Sequence, residues 1–394
     1  MKDFGCPGFR FAGIAAGIKR TGKKDLGLIV SEAPAAVAGV FTRNLVKAAP
    51  VLLDQTRIQS GKCRAVIANS GNANCCTGNQ GLMDAESMAK KTADTLGIPE
   101  EMTLVASTGV IGEPMPMKII LPAISGLVDA LGPTGVAAFA EAIMTTDTVP
   151  KAAYRKVVIG EKPVTVVGIV KGAGMIRPDM ATMLCFICSD IQAPANRLQS
   201  MLTTATQESF NRITIDGDTS TNDTVLLMAN GLSGVTLETA ESMDHFCELL
   251  TELMTDLAKE VVRDGEGVTK LVTVRVNGAV SPEAARTVAD TVGQSSLVKT
   301  AFFGEDANWG RILGAIGRAG VPVDPDRIDV YFGDIQMVRN GVGCGKDVEA
   351  AATEVLRTSE FTVTINLNQG NATASVITCD LSVEYVKINA DYRT

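Results

Sequence analysis

Apolar residues recur at Phe246, Leu249, Leu250, Leu253, Leu257 and Val261, a three-and-four spacing that predicts one buried face of a helix over 242–263. Gly265 follows where a helix would stop. Similar patterns predict helices over 84–96, closed by Gly97, over 195–210, and over 282–292, where Ser281 is placed to cap and Pro282 to open the first turn. Short β-branched or continuously apolar runs predict strands at 26–30, 63–68, 164–170, 182–188, 271–276, 328–332, 361–367 and 374–386, and the last is expected to extend through 381–388 and hold the C-terminus. Strands and helices mix without regular βαβ alternation, so an α+β fold in packed layers is expected. The apolar stretch 121–144 carries Asp129, Glu141 and internal Gly and Pro, which argues against a membrane-spanning helix.

Composition narrows the classes. The 394 residues suffice for two core-sized units, and 46% apolar with 20% charged residues is ordinary for a globular chain. A net charge of −8 and the lack of a basic stripe make nucleic acid and anionic membranes poor partners. The start, MKDFGCPGFRF, has no apolar signal region, and nine scattered cysteines fit reduced thiols, so a cytoplasmic chain without disulfides is expected.

Several familiar chemistries fail on residue type or spacing. His245 is the only histidine and sits within the predicted long helix, leaving no support for a histidine triad or a His-rich metal centre. Cys185 and Cys188 have redox spacing but lie in an apolar strand. The segment from Asp216 begins like a calcium loop, yet Thr221 stands where a glycine is required and Leu227 where a glutamate is required. A turn stabilised by its own Asp, Ser, Thr and Asn side chains is the better reading. Gly341, Gly343, Gly345 and Lys346 lack phosphate-loop spacing, and Asp347 replaces the required hydroxyl.

The run KGAGMIRPDMATMLCFICSD, residues 171–190, offers a different chemistry. Gly172, Gly174 and Pro178 interrupt two apolar strands, and Thr182 stands where the second begins. A hydroxyl at such a junction can attack the carbonyl before it, and hydrolysis of the resulting ester would leave Thr182 as a new N-terminus. Its α-amine, with a pKa of roughly 7.7–8.0, would suit a general base. On local pattern alone, a threonine that merely starts a strand remains the simpler account.

The segment KGAGMIRPDMATML resembles the cleavage motif of the ornithine acetyltransferase, or bifunctional glutamate N-acetyltransferase (ArgJ), family. Seven further segments resemble the same family in order: GNANCCTG at 71, STGVIGEPMP at 107, MTTDTVPK at 144, ITIDGDTSTNDT at 213, GEGVTK at 265, GEDANWGRI at 304 and NADYRT at 389. The adjacent Cys75 and Cys76, and Cys185 with Cys188, look unusual within these segments. The resemblance implies an αββα sandwich of the type shared with DmpA-like self-cleaving aminopeptidases. It also implies a cut between Ala181 and Thr182 into an alpha chain, 1–181, and a beta chain, 182–394, that stay associated as two copies of each.

Site residues carry over by the same resemblance. Thr182 is implied as nucleophile, and Thr108 with Gly109 as the oxyanion pair. Thr145, Lys171, Thr182, Glu266, Asn389 and Thr394 are implied as substrate contacts, with the Lys171 ammonium suited to an α-carboxylate. The implied reaction is ping-pong transfer of acetyl from N2-acetylornithine to glutamate, with no cofactor or metal and with acetyl-CoA left open as a further donor. A self-cleaving aminopeptidase or amidase, and a non-enzymatic amino-acid-binding relative, remain as alternatives.

Overall fold

The computed structural model describes residues 4–177 and 183–391. They fall into two compact units, one formed by 1–211 with 218–261 and the other by 212–217 with 262–394. Each unit is built on its own sheet, and the class is α+β, as the mixed element pattern predicts.

The first unit holds strands β1 (Phe9–Ile14), β2 (Leu26–Phe41), β3 (Lys62–Asn72), β4 (Thr103–Val110), β5 (Lys151–Ile159), β6 (Lys162–Lys171), β7 (Leu184–Ser189) and β8 (Thr224–Ala229). Their order is β4-β3-β2-β8-β7-β6-β5, with β1 beside β2. The long β2 changes partners after a register shift between Val30 and Ala35, pairing with β8 from Ala36 onward. Helices α1 (Ala49–Arg57), α2 (Gly78–Leu96), α3 (Met117–Asp129), α4 (Val136–Ile143), α5 (Ala195–Glu208) and α6 (Ala240–Arg263) accompany this sheet.

Successive side chains of a strand point to opposite faces, and here both faces are covered. Val66, Ala68, Leu104 and Ala106 pack with Phe139 of α4, while Ala65, Ile67 and Val105 pack with Met88 of α2 and with Ile120 and Ile124 of α3. At Gly168 a Cβ would lie 2.7 Å from both Leu253 and Leu257, so the predicted apolar face of α6 lies directly on β6. Cys185 and Cys188 are buried within β7, and burial pushes both thiols up, which suits inert packing.

The second unit contains β9 (Leu271–Ala279), β10 (Asp329–Phe332), β11 (Ile335–Arg339), β12 (Val342–Gly343), β13 (Glu360–Asn366) and β14 (Ala372–Cys379), in the order β12-β11-β10-β13-β9-β14. Its helices are α7 (Pro282–Gly293), α8 (Ser296–Phe303), α9 (Trp309–Gly317), α10 (Lys346–Leu356) and α11 (Val383–Ala390). Ser281 caps α7 by accepting the Ala284 N–H at 3.2 Å, as its placement before Pro282 predicts.

Two expectations change. The predicted strand over 374–386 ends at Cys379, and Val383–Ala390 is helical rather than a strand over 381–388. Asp380 takes the N–H groups of Thr269 and Lys270 at 2.9 Å each, which turns the chain away, and Ser382 caps the new helix by accepting the Tyr385 N–H. These side-chain bonds to the backbone outweigh the β-propensity of the valines, isoleucine and tyrosine that follow. Helix α2 begins at Gly78, six residues before the predicted start. At Gly81 a Cβ would lie 1.9 Å from the Thr77 hydroxyl, so this glycine serves close packing in the first turn of the helix. Among the described residues, no helix is long and apolar enough to cross a membrane.

Candidate active site

Strands β6 and β7 pair antiparallel, with Lys171 opposite Leu184, so the implied cleavage segment connects two hydrogen-bonded neighbours within the first unit. Ala181 and Thr182 lie outside the described residues, as does Thr394; Met183, immediately after the implied nucleophile, is buried. Its N–H donates to the Asp223 carboxyl at 2.9 Å, and its carbonyl accepts the Thr224 N–H at 3.1 Å. Burial above all pushes Asp223 well above the usual carboxylate range, against the Met183 N–H and the Lys171 charge.

Lys171 ends β6 with its side chain only 4% exposed. Its ammonium donates to the Thr145 hydroxyl at 2.8 Å and to the Thr108 hydroxyl at 3.3 Å, which joins three of the implied site residues. Asp147 organises this group. One carboxylate oxygen accepts from the Lys151 ammonium and the Gly172 N–H, each at 2.7 Å, and the other accepts the Thr145 N–H at 2.9 Å while lying 4.0 Å from the Lys171 ammonium. Burial opposes charge on Asp147, but Lys171, Lys151 and these donors outweigh it and hold the carboxyl well below the usual range.

Gly109 follows Thr108 with a φ of +135°, and it pairs with Gly71 where the parallel register of β3 and β4 becomes irregular. A Cβ at Gly109 would lie 2.3 Å from the Gly71 carbonyl carbon, so only glycine fits. The segment read as a self-satisfied turn supports this edge from outside: the Asn222 amide donates to the carbonyls of Ala73 at 2.6 Å and Ser107 at 2.8 Å. Ser220 does stabilise the turn itself, accepting the Asn222 N–H.

In the second unit, Asn389 of α11 donates to the Glu266 carboxylate at 2.8 Å, which unites two more implied contacts. Gly267 has a φ of +68°, and a Cβ there would meet the Tyr385 N at 2.6 Å, so α11 rests against this turn. Ser382 donates to the Gly267 carbonyl at 2.6 Å and fastens the same contact.

Reading the sequence for candidate chemistry missed Asp147, Lys151, Asn222 and Asp223. All four stand inside the quoted segments MTTDTVPK and ITIDGDTSTNDT, but nothing local shows that those segments meet Lys171 and Met183.

The ArgJ family model matches residues 10–394. The chain is 53% identical over 389 residues to the arginine biosynthesis bifunctional protein ArgJ of Geobacter sulfurreducens, covering 98% of this chain and 99% of that one. It is 52% identical to the protein of the same name from Syntrophotalea carbinolica, with the same coverage. A solved structure of arginine biosynthesis bifunctional protein ArgJ from Bacillus halodurans is 43% identical and covers 52% of this chain and 97% of its own, with a TM-score of 0.50. This chain belongs to the ArgJ family.

Proposed function

We propose that this ArgJ-family acetyltransferase of arginine biosynthesis moves acetyl from N2-acetylornithine to glutamate through an ester on Thr182, after cutting itself between Ala181 and Thr182. In the cut, the Thr182 hydroxyl adds to the Ala181 carbonyl and the peptide C–N bond breaks, leaving an ester and a free α-amine. Water then hydrolyses the ester, giving chains 1–181 and 182–394. In transfer, Thr182 attacks the acetyl carbonyl, its α-amine takes the hydroxyl proton, and that proton leaves with ornithine. The glutamate amine next attacks the acetyl ester, producing N-acetylglutamate and restoring the threonine hydroxyl.

The observation that carries this reading is the Lys171 ammonium, buried against Thr108 and Thr145 at the end of the strand that enters the cleavage segment. Thr108 and Gly109 serve the oxyanion, a role in which one lost donor costs on the order of 10²–10³ in rate. Thr145, Lys171, Glu266, Asn389 and Thr394 are carried over from the family resemblance as the substrate contacts. The 52% coverage by the solved ArgJ chain supports the cut, because a product of 182–394 would have about that length. The β6–β7 pairing supports fragments that remain associated, and two of each in a cytoplasmic assembly complete the reading. Acetyl-CoA as a second donor fits the word bifunctional in the relatives' names.

Intact-mass measurement of Thr182→Ala, paired with a transfer assay, tests the reading. The expected result is one uncut chain with no transfer; an uncut variant with full transfer overturns it. Deacetylation of N-acetylornithine that ignores glutamate would favour the aminopeptidase or amidase alternative.

A further inference from the structure

Lys19 stands on the loop between β1 and β2, far in sequence from every segment assigned a role above. The buried Asp25 builds that loop: its carboxylate accepts the N–H groups of Ala16 at 2.6 Å, Gly17 at 3.1 Å and Lys19 at 2.9 Å. The Lys19 ammonium is thereby carried to the Met144 carbonyl, to which it donates at 2.6 Å, and to the Lys24 carbonyl at 3.0 Å. Met144 immediately precedes Thr145, which accepts from Lys171. The stem of Lys19 also lies over the other side of the site, since a Cβ at Gly71 would be 3.2 Å from its Cγ, and Gly71 is paired with Gly109. Lys19 thus donates to the residue before Thr145 and lies against Gly71, the residue paired with Gly109 on the neighbouring strand.

Its chemistry at this position is incomplete. An ammonium has three protons to donate, and both acceptors of Lys19 are neutral carbonyls. Partial burial lowers its pKa to about 8, helped by the charges of Lys171 and Lys23 and opposed by those of Asp25 and Asp147. A lysine in that setting gains from an anion brought beside it.

We infer that Lys19 and Lys171 together form a two-ammonium subsite for the α-carboxylate common to N-acetylornithine and glutamate, with Lys19 as a substrate-binding residue. This rests on the acetyl-transfer reading above. Because both half-reactions present the same carboxylate beside the reacting nitrogen, loss of Lys19 weakens both substrates alike.

The first test is steady-state kinetics of the full chain carrying Lys19→Met or Lys19→Arg, with intact mass recording self-cleavage. Losing one charge-assisted hydrogen bond should raise KM for both substrates by about tenfold to a hundredfold, with little change in kcat and substantial recovery in Lys19→Arg. Unchanged KM values, or a fall in kcat alone, overturn the inference. A second test uses the unsubstituted protein and so does not depend on how the variants fold. Reductive methylation near neutral pH, followed by peptide mapping, should modify Lys19 slowly in the presence of glutamate and faster with isoglutamine, whose α-carboxyl is an amide. Equal labelling with and without glutamate overturns the inference. Failure of the acetyl-transfer reading has a separate sign, an unsubstituted protein that transfers no acetyl.

Discussion

The Asp223 carboxyl holds the backbone N–H of Met183 at 2.9 Å, and Met183 is the residue that follows the proposed nucleophile. With the adjacent Thr224 N–H bound to the Met183 carbonyl, the chain just after Thr182 is anchored through both of its backbone groups. Asp223 is buried, and its raised pKa favours the neutral acid, so this anchor requires an acceptor oxygen but no charge.

Asp223→Asn, which keeps that oxygen, should therefore cleave and fold nearly as the parent does. Asp223→Leu leaves the Met183 N–H without its acceptor, at a cost of about 1–3 kcal/mol, and should slow self-cleavage. A time course by intact mass with thermal melts of both variants checks this. Equal behaviour of the two would remove Asp223 from the anchor.

Gly109→Ala has no room to be accommodated. Its Cβ would stand 2.3 Å from the Gly71 carbonyl carbon and 2.5 Å from the Asn72 nitrogen, at a φ of +135°. The strand edge must move, so transfer should fall by about 10²–10³ if an oxyanion donor moves with it. Single-turnover formation of the acetyl-enzyme measures the loss.

Asp147 should make the protein sensitive to acid. Its folded pKa lies below the unfolded value of about 3.9, so its contribution is complete above that value and fades as the pH falls toward the folded one. Breaking its buried pair with Lys151 by Asp147→Asn should cost about 3–5 kcal/mol near neutrality. Melting temperatures from neutral to strongly acid pH should show the gap between parent and variant closing below about pH 4. A gap independent of pH would contradict the assignment.

Glu266→Gln keeps an oxygen for the Asn389 amide but removes the charge. If Glu266 and Asn389 bind substrate, this variant and Asn389→Ala should self-cleave normally while KM rises by about tenfold. Wild-type KM values in both would limit the pair to holding α11 in place.

Local pattern was enough for elements whose own residues settle their state. The helix 240–263 has its apolar face at the required spacing, and Ser281 with Pro282 marks the start of α7. The C-terminus departs from its local pattern: its β-branched and aromatic residues favour a strand, whereas Ser382 and Asp380 settle the matter through side-chain bonds to the backbone, those of Asp380 reaching a turn more than a hundred residues earlier. The same divide runs through the site. Lys171, Thr108, Gly109 and Thr145 are legible through family motifs, but nothing local marks the Asp147 carboxylate, which orders Thr145 and Lys151 from inside one of those motifs.

By itself the sequence determined the family and, with a single histidine, left a histidine triad without support, while its resemblance pointed to Lys171, Thr145 and the pair Thr108 and Gly109. Tertiary structure alone decided which side chains surround these residues and that only glycine fits at 109. Lys19 reaches Met144 across 125 residues of chain, and Asp223 reaches Met183 across 40. Contacts at such separations depend on how strands pair and in what register, and strand order is set by the packing of the whole sheet rather than by the residues on either side of the contact.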